Sequence, residues 1–440
     1  MQVATPKKGY KRVKTSFGKY EEIPEEWEFV TIKVLIEKII DNRGKTPPLS
    51  NEGRELIEIN SVTNESMHPD YSKVKKYVDE NTFNTWFRDG HPESNDILVS
   101  TVGSVGQYVI MKESRGCIAQ NLIALRIRES TNPFFIYYAL NTNHVSVQTQ
   151  SVVMNGLQPS LKVPHFLGFH IYLPPLPEQQ KIASILSNVD DTIQKTDKII
   201  KQTQRLKKGM MQKLLTRGIG HTKFKKVKWY FGKEVEIPEE WELNILAEYT
   251  TKIGSGITPR GGSKVYKQSG IPLIRSQNVQ FDGITFKDIA YITQEIHDKM
   301  SRTKLQDFDV LLNITGASLG RCTFLPENFG EGNVSQHVCI IRTKNNLNHE
   351  FLSRFLSSYY GQKVIFTMQN GATKEGLNFE QIKSFKIPLP PLSEQQQIAS
   401  ILSNVDTQIQ KEKLHKSNLE QLKKGLMQKL LTGQIRVKVP

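Results

Sequence analysis

LPPLPEQQKIASILSNVD, residues 173–190, returns as LPPLSEQQQIASILSNVD at residues 389–406, changed only at Pro177/Ser393 and Lys181/Gln397. A repeat at a fixed lag decides the architecture before any motif does, because each copy must follow one folding plan. Working outward, LKKGMMQKLLT (206–216) returns as LKKGLMQKLLT (422–432) with the same lag. Upstream, YKRVKTSFGKYEEIPEEW (10–27) matches FKKVKWYFGKEVEIPEEW (224–241). Each half therefore reads as a basic lead, IPEEW, a variable body, LPPL and an EQQ segment.

The EQQ segments predict two long helices of about 39 residues, each roughly 58 Å at 1.5 Å per residue. Ser393 is placed to cap the second, with Gln396 three residues on in capping-box spacing, and Gly433 to end it. In the first, Pro177 suits a helix start and Gly218 lies just past the end. Apolar residues spaced by three and four predict a coiled-coil seam. They are Ile182, Ile185, Val189, Ile199, Leu206 and Met210, matched by Ile398, Ile401, Val405, Leu419, Leu422 and Leu426. Thr192, Thr196 and Thr203, and Gln408, Glu412 and His415, make its middle wetter than its ends. The helices are expected to run antiparallel, bringing the carboxyl terminus back to the amino terminus; separate packing of each helix on its own domain stays open.

The variable bodies read as diverged versions of one fold. Asp96-Ile-Leu-Val-Ser-Thr-Val-Gly103-Ser-Val-Gly106 meets Asp309-Val-Leu-Leu-Asn-Ile-Thr-Gly316-Ala-Ser-Leu-Gly320, an apolar β run entering a Gly turn in both. Gln120 aligns with Gln336 and Leu161 with Leu377. Strand-like LIEINSV and IPLIRSQNV mix with helical PFFIYYAL and HEFLSRFLSSYY, so the class is α/β (α+β). The expected fold is two similar domains, 1–172 and 219–388, joined by long helices at 173–218 and 389–440 that pack as an antiparallel coiled coil, in a pseudo-two-fold internal repeat.

Length and composition bound the function. The 440 residues exceed a single small core, and 38% hydrophobic with 23% charged residues suits a folded chain. No apolar run reaches the roughly 18 residues of a membrane span. The basic start, MQVATPKKGYKRVK, has no apolar stretch behind it, so neither a secretory signal nor an anchor is expected and the location is expected to be cytoplasmic. Cys117, Cys322 and Cys339 show no C-x-x-C spacing and read as core residues rather than zinc ligands. A net charge of +15 favours a polyanionic partner, nucleic acid first, because each neutralised phosphate releases counterions.

Two variable domains alternating with two near-identical helices, each entered by LPPL-x-EQQ and closed by LKKG-x-MQKLLT, resemble the DNA-specificity subunit of Type I restriction-modification enzymes. The resemblance spans essentially the whole chain. It implies two target-recognition domains that each read one half of a split site in double-stranded DNA, with the helices as spacer. It also implies two methyltransferase subunits and restriction-motor subunits as partners, no membrane, and no catalysis or cofactor in this chain. S-adenosylmethionine, ATP and Mg are then expected on the partner subunits. The residues agree: Asn132-Pro133-Phe134-Phe135 lacks the second proline of an adenine-methyltransferase motif and reads as an Asn cap with Pro at the first helical turn. Neither a G-x-x-x-x-G-K-[ST] loop nor an H-E-x-x-H cluster is present.

Bases are read chiefly by Arg, Lys, Asn and Gln, and phosphates by Lys, Arg, hydroxyls and backbone amides. The candidates in the first domain are Arg43 and Lys45; Asn60, Ser61 and Asn64; Ser104 and Gln107; and Asn155 and Gln158. In the second they are Arg260 and Lys264; Arg275, Gln277 and Asn278; Ser318 and Arg321; and Asn370 and Lys374. Gly103, Gly106, Gly316 and Gly320 either admit phosphate to the backbone or simply make turns. A DNA-binding regulator acting alone and a coiled-coil scaffold remain the alternative readings.

Overall fold

The computed structural model describes residues 6–15, 18–63, 66–153, 159–230, 234–369 and 376–438. The chain divides into two compact units, residues 1–197 with 414–440, and residues 198–413. The division falls inside both long helices rather than at their ends. The reason is packing. Ile182, Ala183 and Leu186 of the first helix and Leu430 of the second, with Leu431 just beyond it, are buried in the first unit's core beside Trp27, Phe135 and Phe166. Leu215, Ile398 and Leu402 enter the second unit's core with Trp241 and Phe351. Each such side chain contributes about 1.5–3 kcal/mol, and several together rival the 5–15 kcal/mol that holds a whole domain.

Within the first unit, strands Ile36–Ile40, Leu122–Ile127, Ile97–Ser100 and Tyr108–Ile110 form an antiparallel sheet in that order. Within the second, Thr250–Ser255, Val338–Thr343, Val310–Asn313 and Cys322–Phe324 repeat it. A smaller mixed sheet accompanies each: Arg54–Ile57 runs parallel to Cys117–Ile118, and Ile271–Ile274 parallel to Asn333–Val334. The shared Asp that opens each β run braces its sheet. Asp96 accepts both prongs of Arg126 at 3.2 and 3.0 Å, and Asp309 those of Arg342 at 2.7 and 2.8 Å.

The long helices span Leu176–Arg217 and Leu392–Leu430. Ser393 lies inside the second helix's first turn, so it is not the predicted cap; the carbonyls of Pro175 and Pro391 accept the first amides instead. Gly218 takes a left-handed φ of 64° just past Arg217, as its place predicts. In the first unit Asp190 meets Lys423 and Asp197 meets Lys416, both at 2.6 Å, so the segments run antiparallel. In the second, Lys207 meets Asp406 at 2.5 Å.

The predicted seam is out of phase at every second position. Inward positions run Ile182, Leu186, Val189, Ile193, Thr196, Ile200, Thr203, Lys207, Met210 and Leu214, and Ile398, Leu402, Val405, Ile409, Glu412, Lys416, Leu419, Lys423, Leu426 and Leu430. Ile199, Leu206 and Leu422 are 44, 59 and 51% exposed. A three-four alternation fits either phase; in the adopted one Leu186, Ile200, Leu402 and Ile409 are buried, and Lys207 and Lys423 snorkel their stems inward to reach Asp406 and Asp190.

The repeated motifs are parts of a latch. The indole N–H of Trp27, from IPEEW, donates to Glu178 at 2.9 Å, and that of Trp241 to Glu394 at 2.9 Å. The side chain of Gln179 accepts the amide of Asn132 at 2.9 Å, and that of Gln395 the amide of Asn348 at 2.8 Å. Asn132 and Asn348 cap the helices Pro133–Leu140 and His349–Ser357. So the EQ pair joins the lead and the body of each unit to its long helix. A third party closes the latch. In the second unit it is the continuing chain, through the Ile219 amide and His221 on Glu394, both 2.9 Å. In the first it is the carboxyl-terminal tail: Arg436 forks onto Glu178 at 2.8 and 2.9 Å, and Tyr10 donates to the Gly433 carbonyl at 2.9 Å.

The carboxyl-terminal tail thus returns to the amino-terminal lead within the first unit. A permutant that joins the termini by a short flexible linker and opens between the exposed Thr222 and Lys223 keeps every latch bond. It should fold with stability within about 1 kcal/mol of the parent, since only exposed chain is cut. Thermal unfolding checks this, and a drop of several kcal/mol would show that the two closures are not equivalent.

Candidate nucleic-acid interface

In the first unit the turn between Ile97–Ser100 and Tyr108–Ile110 carries Ser104 and Gln107. Gly103 and Gly106 have φ of 85° and 76°, so turn geometry accounts for both glycines. The Gly106 amide donates to the Ser100 carbonyl at 3.0 Å, and the Ser100 amide to the Gln107 carbonyl at 3.0 Å, which fixes where Gln107 leaves the turn. Ser104 is exposed; Gln107 is half-buried, and its side-chain amide bonds to none of the described residues. Beside the turn stands one turn of 3-10 helix, Ile59–Ser61, since a Cβ on Gly103 would lie 3.4 Å from Ile59 Cδ1. Asn60 is exposed there and donates to the Lys73 carbonyl at 3.1 Å.

The second unit repeats the arrangement with other side chains. Gly316 and Gly320 have φ of 72° and 83°. The Gly320 amide donates to the Asn313 carbonyl at 2.9 Å and the Asn313 amide to the Arg321 carbonyl at 2.8 Å. Asn313 Nδ2 ties this turn to the 3-10 turn Ser276–Asn278 through the Ser276 carbonyl, at 2.8 Å. Gln277 and Arg275 both donate to the Asp288 carbonyl, at 3.1 and 2.6 Å, and Arg275 lies 5.4 Å from the Tyr266 ring centre. Ser318 is half-buried in the Gly turn.

A short hairpin, Val279–Gln280 with Gly283–Ile284, extends from this place and has no counterpart among the described residues of the first unit. With the segment to Asp288 it encloses an open cleft of about 680 Å³ lined by Gln277, Gln280, Phe286 and Lys287. Phe281 and Phe286 are 47 and 58% exposed. Gln280 and Phe281 are absent from the sequence-derived candidates, although Asp282-Gly283 inside an apolar alternation is a legible hairpin signal.

The structure therefore brings together Asn60, Ser104 and Gln107 at one place, and Arg275, Gln277, Ser318 and Arg321 at the matching place. Two candidates are corrected. Ser61 is 1% exposed and Asn278 is fully buried, its Nδ2 donating to the Thr285 and Lys287 carbonyls at 2.9 and 3.3 Å and its Oδ1 accepting the Arg275 amide. Asn278 thus holds its own turn, and the buried Ser61 hydroxyl meets the neighbouring Asn60 side chain at 3.4 Å, so neither is presented to a ligand. Asn64, Asn155, Gln158, Asn370 and Lys374 lie outside the described residues.

Arg43 and Lys45 sit on a separate loop. Arg43 forks onto Asp41 at 2.7 and 2.6 Å. Burial pushes the Asp41 carboxyl up, but hydrogen bonds from Arg43 and the charges of Arg43 and Arg88 outweigh it and leave it below its ordinary value. Lys45, Arg260 and Lys264 are exposed. Among the described residues, Arg43, Arg54, Arg88, Arg115 and Arg126 of the first unit each pair with a carboxylate. Arg260, Arg275 and Arg321 of the second have none among the described residues. A guanidinium without a carboxylate is the form that can exchange water for a base edge or phosphate.

Elsewhere the chemistry is quiet. Burial pushes the thiols of Cys117, Cys322 and Cys339 up to about 12, as expected of core cysteines. Among the described residues no group of three or more His, Cys, Asp or Glu side chains could hold a metal, and no helix is long and apolar enough to cross a membrane.

The Type I restriction modification DNA specificity domain matches this chain twice, at residues 24–205 and 238–421. The type I restriction enzyme MjaVIII specificity subunit of Methanocaldococcus jannaschii is 28% identical over 432 residues, covering 94% of each chain. The EcoBI specificity subunit of Escherichia coli is 25% identical over 327 residues, covering 70% of this chain and 65% of that one. Among solved structures, the restriction-modification S subunit from M. genitalium has a TM-score of 0.57 at 16% identity, covering 92% of this chain and 96% of that one. A chain from a study of assembly and conformational transition of the type I restriction-modification system also scores 0.57, at 15% identity, over 94% of this chain and all of that one. At such identities the structures speak for the fold.

Proposed function

This chain belongs to the Type I restriction modification DNA specificity family, and from that premise we propose that it is the non-catalytic subunit that chooses where a modification and restriction complex acts on double-stranded DNA. Each unit reads one half of a bipartite, asymmetric site. The observation that carries this is the pair of matching polar places, a Gly turn beside a 3-10 turn, built on the same backbone bonds but bearing Asn60 and Gln107 in one unit and Arg275, Gln277 and Arg321 in the other. A common frame with different reading groups is what two different half-sites require. The charge of +15 supplies the sequence-independent attraction to phosphate.

Two methyltransferase subunits and the restriction subunits are the proposed partners, and they carry S-adenosylmethionine, ATP and Mg. The test exchanges residues 28–172 for those of another family member and maps methylated sites in cells that also make the methyltransferase subunits. One half-site should change and the other stay. Change at both would overturn the modular reading. A chain that binds one duplex sequence tightly without methyltransferase and directs no methylation would instead be a regulator acting alone.

A further inference from the structure

Gln107 and Arg321 occupy one and the same position in the two units. Each is the first residue after the second glycine of its turn, and each has its carbonyl taken by the amide of the residue that ends the outgoing strand, Ser100 at 3.0 Å and Asn313 at 2.8 Å. The next residue, Tyr108 or Cys322, is buried in the core that holds the helices. Because strand side chains alternate, Gln107 and Arg321 point to the opposite side, that of Val109 and Thr323. Val109 packs with Ile57 and Val62, which flank the 3-10 turn carrying Asn60. Arg321 reaches the corresponding segment directly, its Nη1 donating to Gln280 Oε1 at 3.2 Å.

Both side chains are short of partners. Arg321 is half-buried and faces no carboxylate among the described residues, so most of its donors are left to solvent or to a ligand. Gln280 is itself held, its Nε2 donating to the Gln277 carbonyl at 2.8 Å, and this turns its oxygen toward Arg321 and aims the guanidinium. Arginine pairs through two bonds with guanine O6 and N7, and glutamine with adenine N6 and N7. We infer that this shared position determines one base of each half-site, Arg321 selecting guanine in the half-site of the second unit and Gln107 selecting adenine in that of the first. The inference rests on the DNA-reading function proposed above and adds which position reads and what it reads. Gln280 is a positioning residue in this account, and the hairpin that supplies it has no counterpart among the described residues of the first unit.

The experiment is a map of methylated sites directed by the parent, Arg321→Gln, Arg321→Lys and Gln107→Arg chains, each produced with the methyltransferase subunits, with thermal unfolding as a check on folding. Arg321→Gln should replace guanine by adenine, or lose the preference about tenfold, at a single position of one half-site. Arg321→Lys keeps the charge but not the fork and should relax that same position alone. Gln107→Arg should move one position of the other half-site from adenine to guanine. Folded variants that methylate the parent's sites with unchanged base preference overturn the inference while leaving the DNA-reading function standing. A parent chain that directs no sequence-specific methylation overturns both.

Discussion

Replacing Glu178 by alanine lowers the unfolding free energy by about 3 kcal/mol, at the lower end of the range for breaking a buried ion pair. The carboxylate is 1% exposed and accepts from three donors at once: the Trp27 indole and two nitrogens of Arg436. Its loss leaves a buried N–H without an acceptor, which alone costs about 1–3 kcal/mol. Arg436 softens the blow, because it is 37% exposed and keeps Glu26 at 2.7 Å. Glu178→Gln can still accept one bond from the indole and should cost less than the alanine change. Urea unfolding followed by tryptophan fluorescence measures both; a loss under 1 kcal/mol for alanine would mean that the latch is not what joins lead to helix.

Asp406→Ala should cost about 3 kcal/mol and Asp190→Ala about 2, although the two aspartates are repeat partners. Asp406 accepts from Arg354, whose side chain is 12% exposed, and from Lys207 at 2.5 Å. Removing it strands two cations, of which Arg354 keeps Glu350 at 3.0 Å. At Asp190 the place of Arg354 is taken by Tyr138, a neutral donor at 2.8 Å that can turn to Ser187. Lys423 there lies over the Tyr138 ring at 5.6 Å and is 25% exposed, so water reaches it more readily. The order of the two losses is the test, read from unfolding midpoints; Asp190 proving the costlier would show that burial of Arg354 is not what sets the scale.

The repeat, the two helices and the paired Gly turns are plain in the residues because they rest on local pattern, and near-identical strings must fold alike. The seam is half legible. A three-four spacing constrains a helix face to within one residue, and Ile199 and Leu206 are apolar, so reading hydrophobicity alone places them inward where Ile200 and Lys207 belong. The fate of Lys207 depends on Asp406, almost two hundred positions away, and no local rule supplies that. The same holds for Glu178 and Gln179. As a string, EQQ opens a helix; only the fold puts Trp27 and the Asn132 amide against it. At the interface, Asn278 and Ser61 read as candidates because they are polar and follow a strand, but both are buried, and Asn278 is spent on the backbone of its own turn. Gln107 and Arg321 are legible as a pair, each following the second glycine of its turn; what the string does not show is the neighbouring 3-10 turn beside them.

The division of the chain has a consequence for its birth on the ribosome. The second unit is drawn from one uninterrupted run, 198–413, and is complete as soon as that run has emerged. The first unit starts earlier and is completed later, since Leu430, Leu431 and Arg436 follow residue 413. Until then the nascent first unit lacks the part of its core that Leu430 and Leu431 supply, and exposed apolar surface of that kind draws chaperones. A message cut short after codon 413 would leave the later-made unit whole and cripple the one translated first.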